Sequence, residues 1–123
     1  MIPIAFQILI LMFIHTIADF FLQTKEMAIN KSSSNKALLT HVYIYTLPWL
    51  IGIFIFSLSS VLLFIVITFV LHFITDYITS RFTKKFYQDN KIYGFPGFWA
   101  TIAIDQFLHI AQIILTYYFI FLS

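Results

Sequence analysis

The sequence predicts an all-α fold: an integral membrane four-helix antiparallel bundle with its N- and C-termini on the outer side. Three observations predict it. Hydrophobic residues fill 61% of the 123 positions and charged residues only 10%, against about a quarter charged in a water-soluble globular domain. The apolar runs have lengths that suit a bilayer. All seven Lys and Arg residues fall in two segments, which gives each span a direction.

The first span covers about residues 2–23. No basic residue precedes it and no small-residue cleavage pattern follows it, so it reads as a true span and not as a signal peptide. Residues 37–75 contain no charged side chain. As one helix they would reach roughly 58 Å, about twice the hydrocarbon thickness, so the chain must fold back. The polar cluster from Ser57 to Ser60 is the corner, which gives spans at about 36–56 and 61–82. Ser34 or Asn35 is expected to cap the second span, and Pro48 and Gly52 to kink it. A fourth span, about 98–122, follows the "GFPGFW" breaker, with Tyr93, Phe95, Phe98 and Trp99 forming an interfacial belt. The whole chain, 1–123, is read as a single transmembrane domain.

Lys25, Lys31 and Lys36 lie between spans one and two; Arg81, Lys84, Lys85 and Lys91 lie between spans three and four. The positive-inside rule makes both loops cytoplasmic. The expected location is the cytoplasmic (inner) membrane, multi-pass, with the lipid bilayer as the first partner. "RFTKKFYQDNK" reads either as a prolongation of the third helix along the membrane surface or as a solvated basic loop. A formal charge of +2 gives no support to nucleic-acid binding, and the absence of cysteine removes disulfides, thiolate metal sites and a cysteine nucleophile.

Every span carries ionisable residues: His15 and Asp19 on the first, His41 on the second, His72 and Asp76 on the third, Asp105 and His109 on the fourth. Positions i and i+4 share a helix face, so each His/Asp pair projects one way. Spans one and three run inward and read His-x-x-x-Asp; span four runs outward and reads Asp-x-x-x-His. Equal depth demands that reversal. Asp19, His41, Asp76 and Asp105 are expected in one layer, with His15, His72 and His109 one turn deeper. Gln23 and Ser80 continue two of these stripes, Thr101 and Gln112 flank the fourth pair, and Tyr45 lies one turn above His41. Gln106 points about 100° from Asp105 and reads as a helix contact. Gln23, Tyr45 and Gln106 are expected behind the ligands as supports. "HTIADF" and "HFITDY" also echo one another, as in a parallel duplication.

Imidazole and carboxylate ligands without sulfur suit a divalent metal ion, zinc first, with iron or manganese as alternatives. Three carboxylates with one divalent ion leave one negative charge, and with two ions one positive charge. A bound ion would supply a water nucleophile near neutral pH. His15, Asp19, His41, His72, Asp76, Asp105 and His109 are the expected metal ligands. No Gly-rich phosphate loop or G-x-S-x-G elbow occurs, and the single Glu, Glu26, lies in the first cytoplasmic loop.

The segments "HTIADFFLQT", "NKALLTHVYIYTLP", "HFITDYITSR" and "AIDQFLHI" resemble the small bacterial and phage integral-membrane family called domain of unknown function 3307, over nearly the whole chain. The resemblance implies the four-helix fold and the motif residues His15, Asp19, Gln23, His41, His72, Asp76, Asp105, Gln106 and His109; it implies no substrate. Size, helix count and intramembrane histidines are also similar to families labelled membrane-bound metal-dependent hydrolases. Three functions stay open at this point. One is metal-dependent hydrolysis of a lipid or lipid-linked substrate reached from the cytoplasmic leaflet. The second is proton or metal-ion transport through the His/Asp cluster, for which so small a bundle would need to form a homo-oligomer. The third is a non-catalytic accessory role with the His/Asp pairs as interhelical glue.

Overall fold

The computed structural model describes residues 2–123. Helix α1 (Ile4–Thr16) runs on into a π-helical turn, Ile17–Phe21. The wider π turn changes the angular step between residues exactly where Asp19 must face inward, a use of π geometry that recurs at functional sites. A short helix α2 (Lys25–Asn30) follows where the sequence reading has only a loop. Its cap is Thr24, whose Oγ1 accepts a hydrogen bond from the Met27 amide at 3.2 Å.

Ser34, one of the two expected caps, accepts from the Ala37 amide at 3.2 Å and opens α3 (Asn35–Thr46). Pro48 has no amide hydrogen to continue the α pattern, and the chain tightens into a 3-10 helix, Leu47–Phe54. The reversal comes at the expected serine corner. Ser57 Oγ accepts from the Ser60 amide at 3.3 Å, so α4 (Leu58–Thr83) starts there. It extends past its expected end through a π turn, Lys84–Gln88, so the basic run prolongs the helix. The last span is α5 (Gly97–Tyr117) with a terminal π turn, Tyr118–Leu122.

Four helical stretches are long and apolar enough to cross a membrane: Ile4–Phe21, Asn35–Phe54, Leu58–Gln88 and Gly97–Leu122. Helix α4 packs against both α3 and α5; α1 packs on α5 and its π turn on α3, which closes the ring. The distribution of polarity is inverted relative to a water-soluble bundle. Phe21 and Phe54 are 78% and 83% exposed, whereas His15, Asp19, His41, His72, Asp76 and His109 are each 3% exposed or less. Large apolar side chains facing outward fit a hydrocarbon solvent, and ionisable groups belong in the interior of such a bundle. Toward the serine corner the core is apolar and aromatic, built from Leu11, Tyr45, Trp49, Phe64, Ile113 and Tyr117. The polar half lies toward the basic connections.

Candidate metal centre

The π turn, α3, α4 and α5 each send carboxylates or imidazoles into one volume. Asp19, His41, His72 and Asp76 form a group whose ligand atoms all lie within 4.8 Å of one another, and Asp76, Asp105 and His109 form a second. Asp76 belongs to both. Its Oδ2 faces His41 Nε2 at 3.1 Å and His72 Nε2 at 3.4 Å, while its Oδ1 faces His109 Nε2 at 3.1 Å. One carboxylate thus offers one oxygen to each group.

In the first group His41 Nε2 lies 3.1 Å from Asp19 Oδ1 and 3.2 Å from His72 Nε2, and His72 Nε2 lies 3.6 Å from Asp19 Oδ1. With the two contacts to Asp76 Oδ2, five edges of a four-cornered figure fall between 3.1 and 3.6 Å. Ligands about 2.05 Å from a tetrahedral zinc stand roughly 3.3 Å apart. Hydrogen bonding alone does not account for the convergence. A single His41 N–H cannot serve two carboxylate oxygens and a second imidazole nitrogen together. The donor set and its spacing fit a divalent ion. The second group offers three side chains, with His109 Nε2 3.2 Å from Asp105 Oδ1, and would leave a coordination position open on a tetrahedral ion.

The two expected layers merge at this level. His72 and His109 each extend Nε2 over one turn to the carboxylate four residues away on their own helix, Asp76 and Asp105, and so reach the Asp76 plane. Their orientation comes from stacking. Tyr45 lies face to face with His72 at 3.8 Å, and His72 with His109 at 4.1 Å, while both Nδ1 atoms lack a hydrogen-bond partner among the described residues.

His15, expected as a ligand, lies in neither group. Its Nδ1 is 2.9 Å from the Tyr45 hydroxyl and its Nε2 is 3.0 Å from Gln106 Oε1. Gln106 Oε1 can only accept, so His15 carries its proton on Nε2 and accepts from Tyr45 at Nδ1. Both nitrogens are engaged by these two partners in this arrangement. The "HTIADF" and "HFITDY" echo therefore covers two different surroundings: α4 stays α-helical through Asp76, whereas the first span turns π at Asp19.

Gln106 is more than a helix contact. Its Nε2 donates to Asp19 Oδ2 at 3.0 Å and to Asp105 Oδ2 at 3.2 Å, which restrains the far oxygen of each carboxylate and leaves both Oδ1 atoms turned to the groups. A chain of Tyr45, His15 and Gln106 thus orients ligands on two helices, as outer hydrogen bonds do around metal sites. Thr79 also donates to Asp105 Oδ1.

Sequence reasoning missed the charge of Lys31. Its Nζ lies 3.2 Å from Asp76 Oδ2 with the side chain 17% exposed. Burial alone would lower its pKa, but Asp76, Asp19 and Asp105 outweigh that and hold it above the ordinary lysine value. The ammonium brings the three carboxylates to a net of two negative charges. One divalent ion then neutralises the site, and a second leaves two positive charges. A cavity of about 200 Å³ opens from the centre toward the basic connections, its wall including Gln23, Lys31, Ser80 and Asp105.

No protein of curated function and no solved structure matches the chain. A family model does, over residues 7–123, a stretch that contains every side chain of the centre. The chain therefore belongs to the family described as "Protein of unknown function (DUF3307)".

Proposed function

We propose that this protein binds two divalent metal ions, zinc first, at the Asp76-bridged groups, and uses them to hydrolyse an ester or phosphoester bond in a lipid or lipid-linked substrate at the cytoplasmic leaflet. The observation that carries this reading is the four-cornered spacing of Asp19, His41, His72 and Asp76 beside a three-ligand group with an open position. Closed four-ligand sites hold metal structurally, whereas three protein ligands leave room for water and substrate. An ion held by Asp76, Asp105 and His109 would supply a water nucleophile near neutral pH and polarise the scissile bond, while one held by Asp19, His41, His72 and Asp76 would fix the Asp76 carboxylate in place. In the reaction, water oxygen bonds to the acyl carbon or phosphorus. The ester bond breaks with its electron pair on the alcohol oxygen, which takes up a proton.

Ion transport is less well supported. Beyond the centre the core consists of Leu11, Tyr45, Trp49, Phe64 and Ile113, with an apolar cavity of about 480 Å³ beside Leu11, Trp49 and Phe64, which offers a moving ion no succession of ligands. Positive-inside placement of Lys25, Lys31, Lys36, Arg81, Lys84, Lys85 and Lys91 supports a site near the cytoplasmic surface.

The test is turnover. Purified protein in mixed micelles with a total polar lipid extract and added Zn²⁺ or Mn²⁺ is expected to deplete one lipid class, with products whose masses sum to substrate plus water. Chelation and Asp105→Ala should each stop it. A metal-loaded protein that leaves every lipid class unchanged would count against hydrolysis.

His15 provides a separate check. His15→Ala is expected to keep both ions while weakening affinity roughly 10- to 100-fold, the usual effect of losing an outer hydrogen bond to a ligand. Competition with a chromophoric chelator measures it. Complete loss of one ion would instead make His15 a ligand.

A further inference from the structure

We infer that the cavity beside the metal centre is a phosphate-binding subsite, with Lys31, Ser80 and Gln23 as its donors, so that the substrate presents a phosphoryl group. The inference rests on the two-metal reading and names the substrate class for that same site.

Lys31 is the first observation. An ammonium has three donors, and among the described residues its only hydrogen-bond partner is Asp76 Oδ2. Its side chain lines the same cavity as Gln23, Ser80 and Asp105, which leaves donors available there. Two more polar groups on that wall are unpartnered. Ser80 Oγ and Gln23 Oε1 are shut off from solvent without a hydrogen bond among the described residues. Buried polar atoms normally find partners, and groups left without one at a cavity wall call for a ligand. The Gln23 amide, with Oε1 uncommitted, can turn its NH₂ inward. Three donor groups then surround a space whose floor includes Asp76 and Asp105.

Charge balance is the second observation. With two divalent ions, the three carboxylates and Lys31 leave two positive charges, which a phosphate monoester dianion neutralises and a neutral carboxylic ester does not. Uncompensated charge at this depth is expensive. The open position of the Asp76, Asp105 and His109 group lies beside the cavity, since Asp76 and Asp105 belong to both. A phosphoryl oxygen can therefore reach the metal while the others meet Lys31 and Ser80.

A phosphoryl group arrives either as a phospholipid headgroup or as free phosphate. The experiment uses full-length protein in detergent, loaded with Zn²⁺, with metal content measured on every sample. It is titrated by calorimetry with inorganic phosphate, and separately with phosphatidic acid in dodecyl maltoside micelles, using phosphatidylcholine as control. Wild type is expected to bind phosphate or phosphatidic acid; binding of the lipid alone identifies the headgroup as the source. Lys31→Met should weaken binding roughly tenfold or more, and Ser80→Ala roughly three- to tenfold. Lys31→Arg should restore most of the affinity, which separates charge recognition from a folding defect. Metal retained with affinity unchanged in Lys31→Met and Ser80→Ala, or no binding of either probe by metal-loaded wild type, would overturn the inference and leave the metal reading intact. Wild type that holds no metal would overturn the metal reading itself.

Discussion

Asp76→Asn is expected to strip both metal ions from the protein, whereas His109→Ala and His41→Ala should each remove one. Asp76 is the only residue common to both groups, with Oδ2 toward His41 and His72 and Oδ1 toward His109. An amide keeps the shape but presents one neutral oxygen, so one group loses its oxygen ligand and the other its charge. Affinity at both should fall by more than the roughly 100-fold seen for lost outer contacts. Elemental analysis of the purified variants reads the stoichiometry directly. Loss of one ion in Asp76→Asn would mean that the carboxylate does not bridge.

Metal removal is expected to have the second large effect. Without ions, the buried Asp19 and Asp76 and the partly exposed Asp105 share a small volume with one ammonium, Lys31, and unpaired buried charges cost several kcal/mol each. A ligand present at 100 times its Kd stabilises the native state by about 2.7 kcal/mol. Two ions of that affinity shift the midpoint of a chain this size by on the order of 15 °C. Thermal unfolding in detergent should therefore show a drop on chelation that Zn²⁺ reverses, and Asp76→Asn should respond to neither. Equal midpoints with and without chelator would place the stability of the bundle elsewhere.

Much of this architecture was legible in the sequence because the bilayer simplifies the rules. Span lengths, the serine corner and the reversed order of Asp105 and His109 follow from 1.5 Å per residue and from charge placement. Helical periodicity singled out Asp19, His41, His72, Asp76, Asp105 and His109, which the structure brings into the two groups, and also His15, which lies outside them. The different placing of His15 has a local cause. A fixed 100° step aligns His15 with Asp19, but the chain turns π at Ile17–Phe21, and Tyr45 and Gln106 then occupy both His15 nitrogens. Gln106 was assigned by the direction of its Cβ alone. A side chain of that length reaches back to two carboxylates on different helices. Lys31 carried topological information as a loop charge, and nothing in its spacing reveals that it enters the site; helix α2, which positions it, is too short to announce itself by periodicity.

The central claim is that ions, and not protons, hold these side chains together. Anomalous diffraction from crystals of the Zn²⁺-loaded protein tests it most directly. Two peaks are expected, one among Asp19, His41, His72 and Asp76, the other beside Asp76, Asp105 and His109. Density with no peak at either position, and His41 and His72 still in nitrogen-to-nitrogen contact, would contradict it.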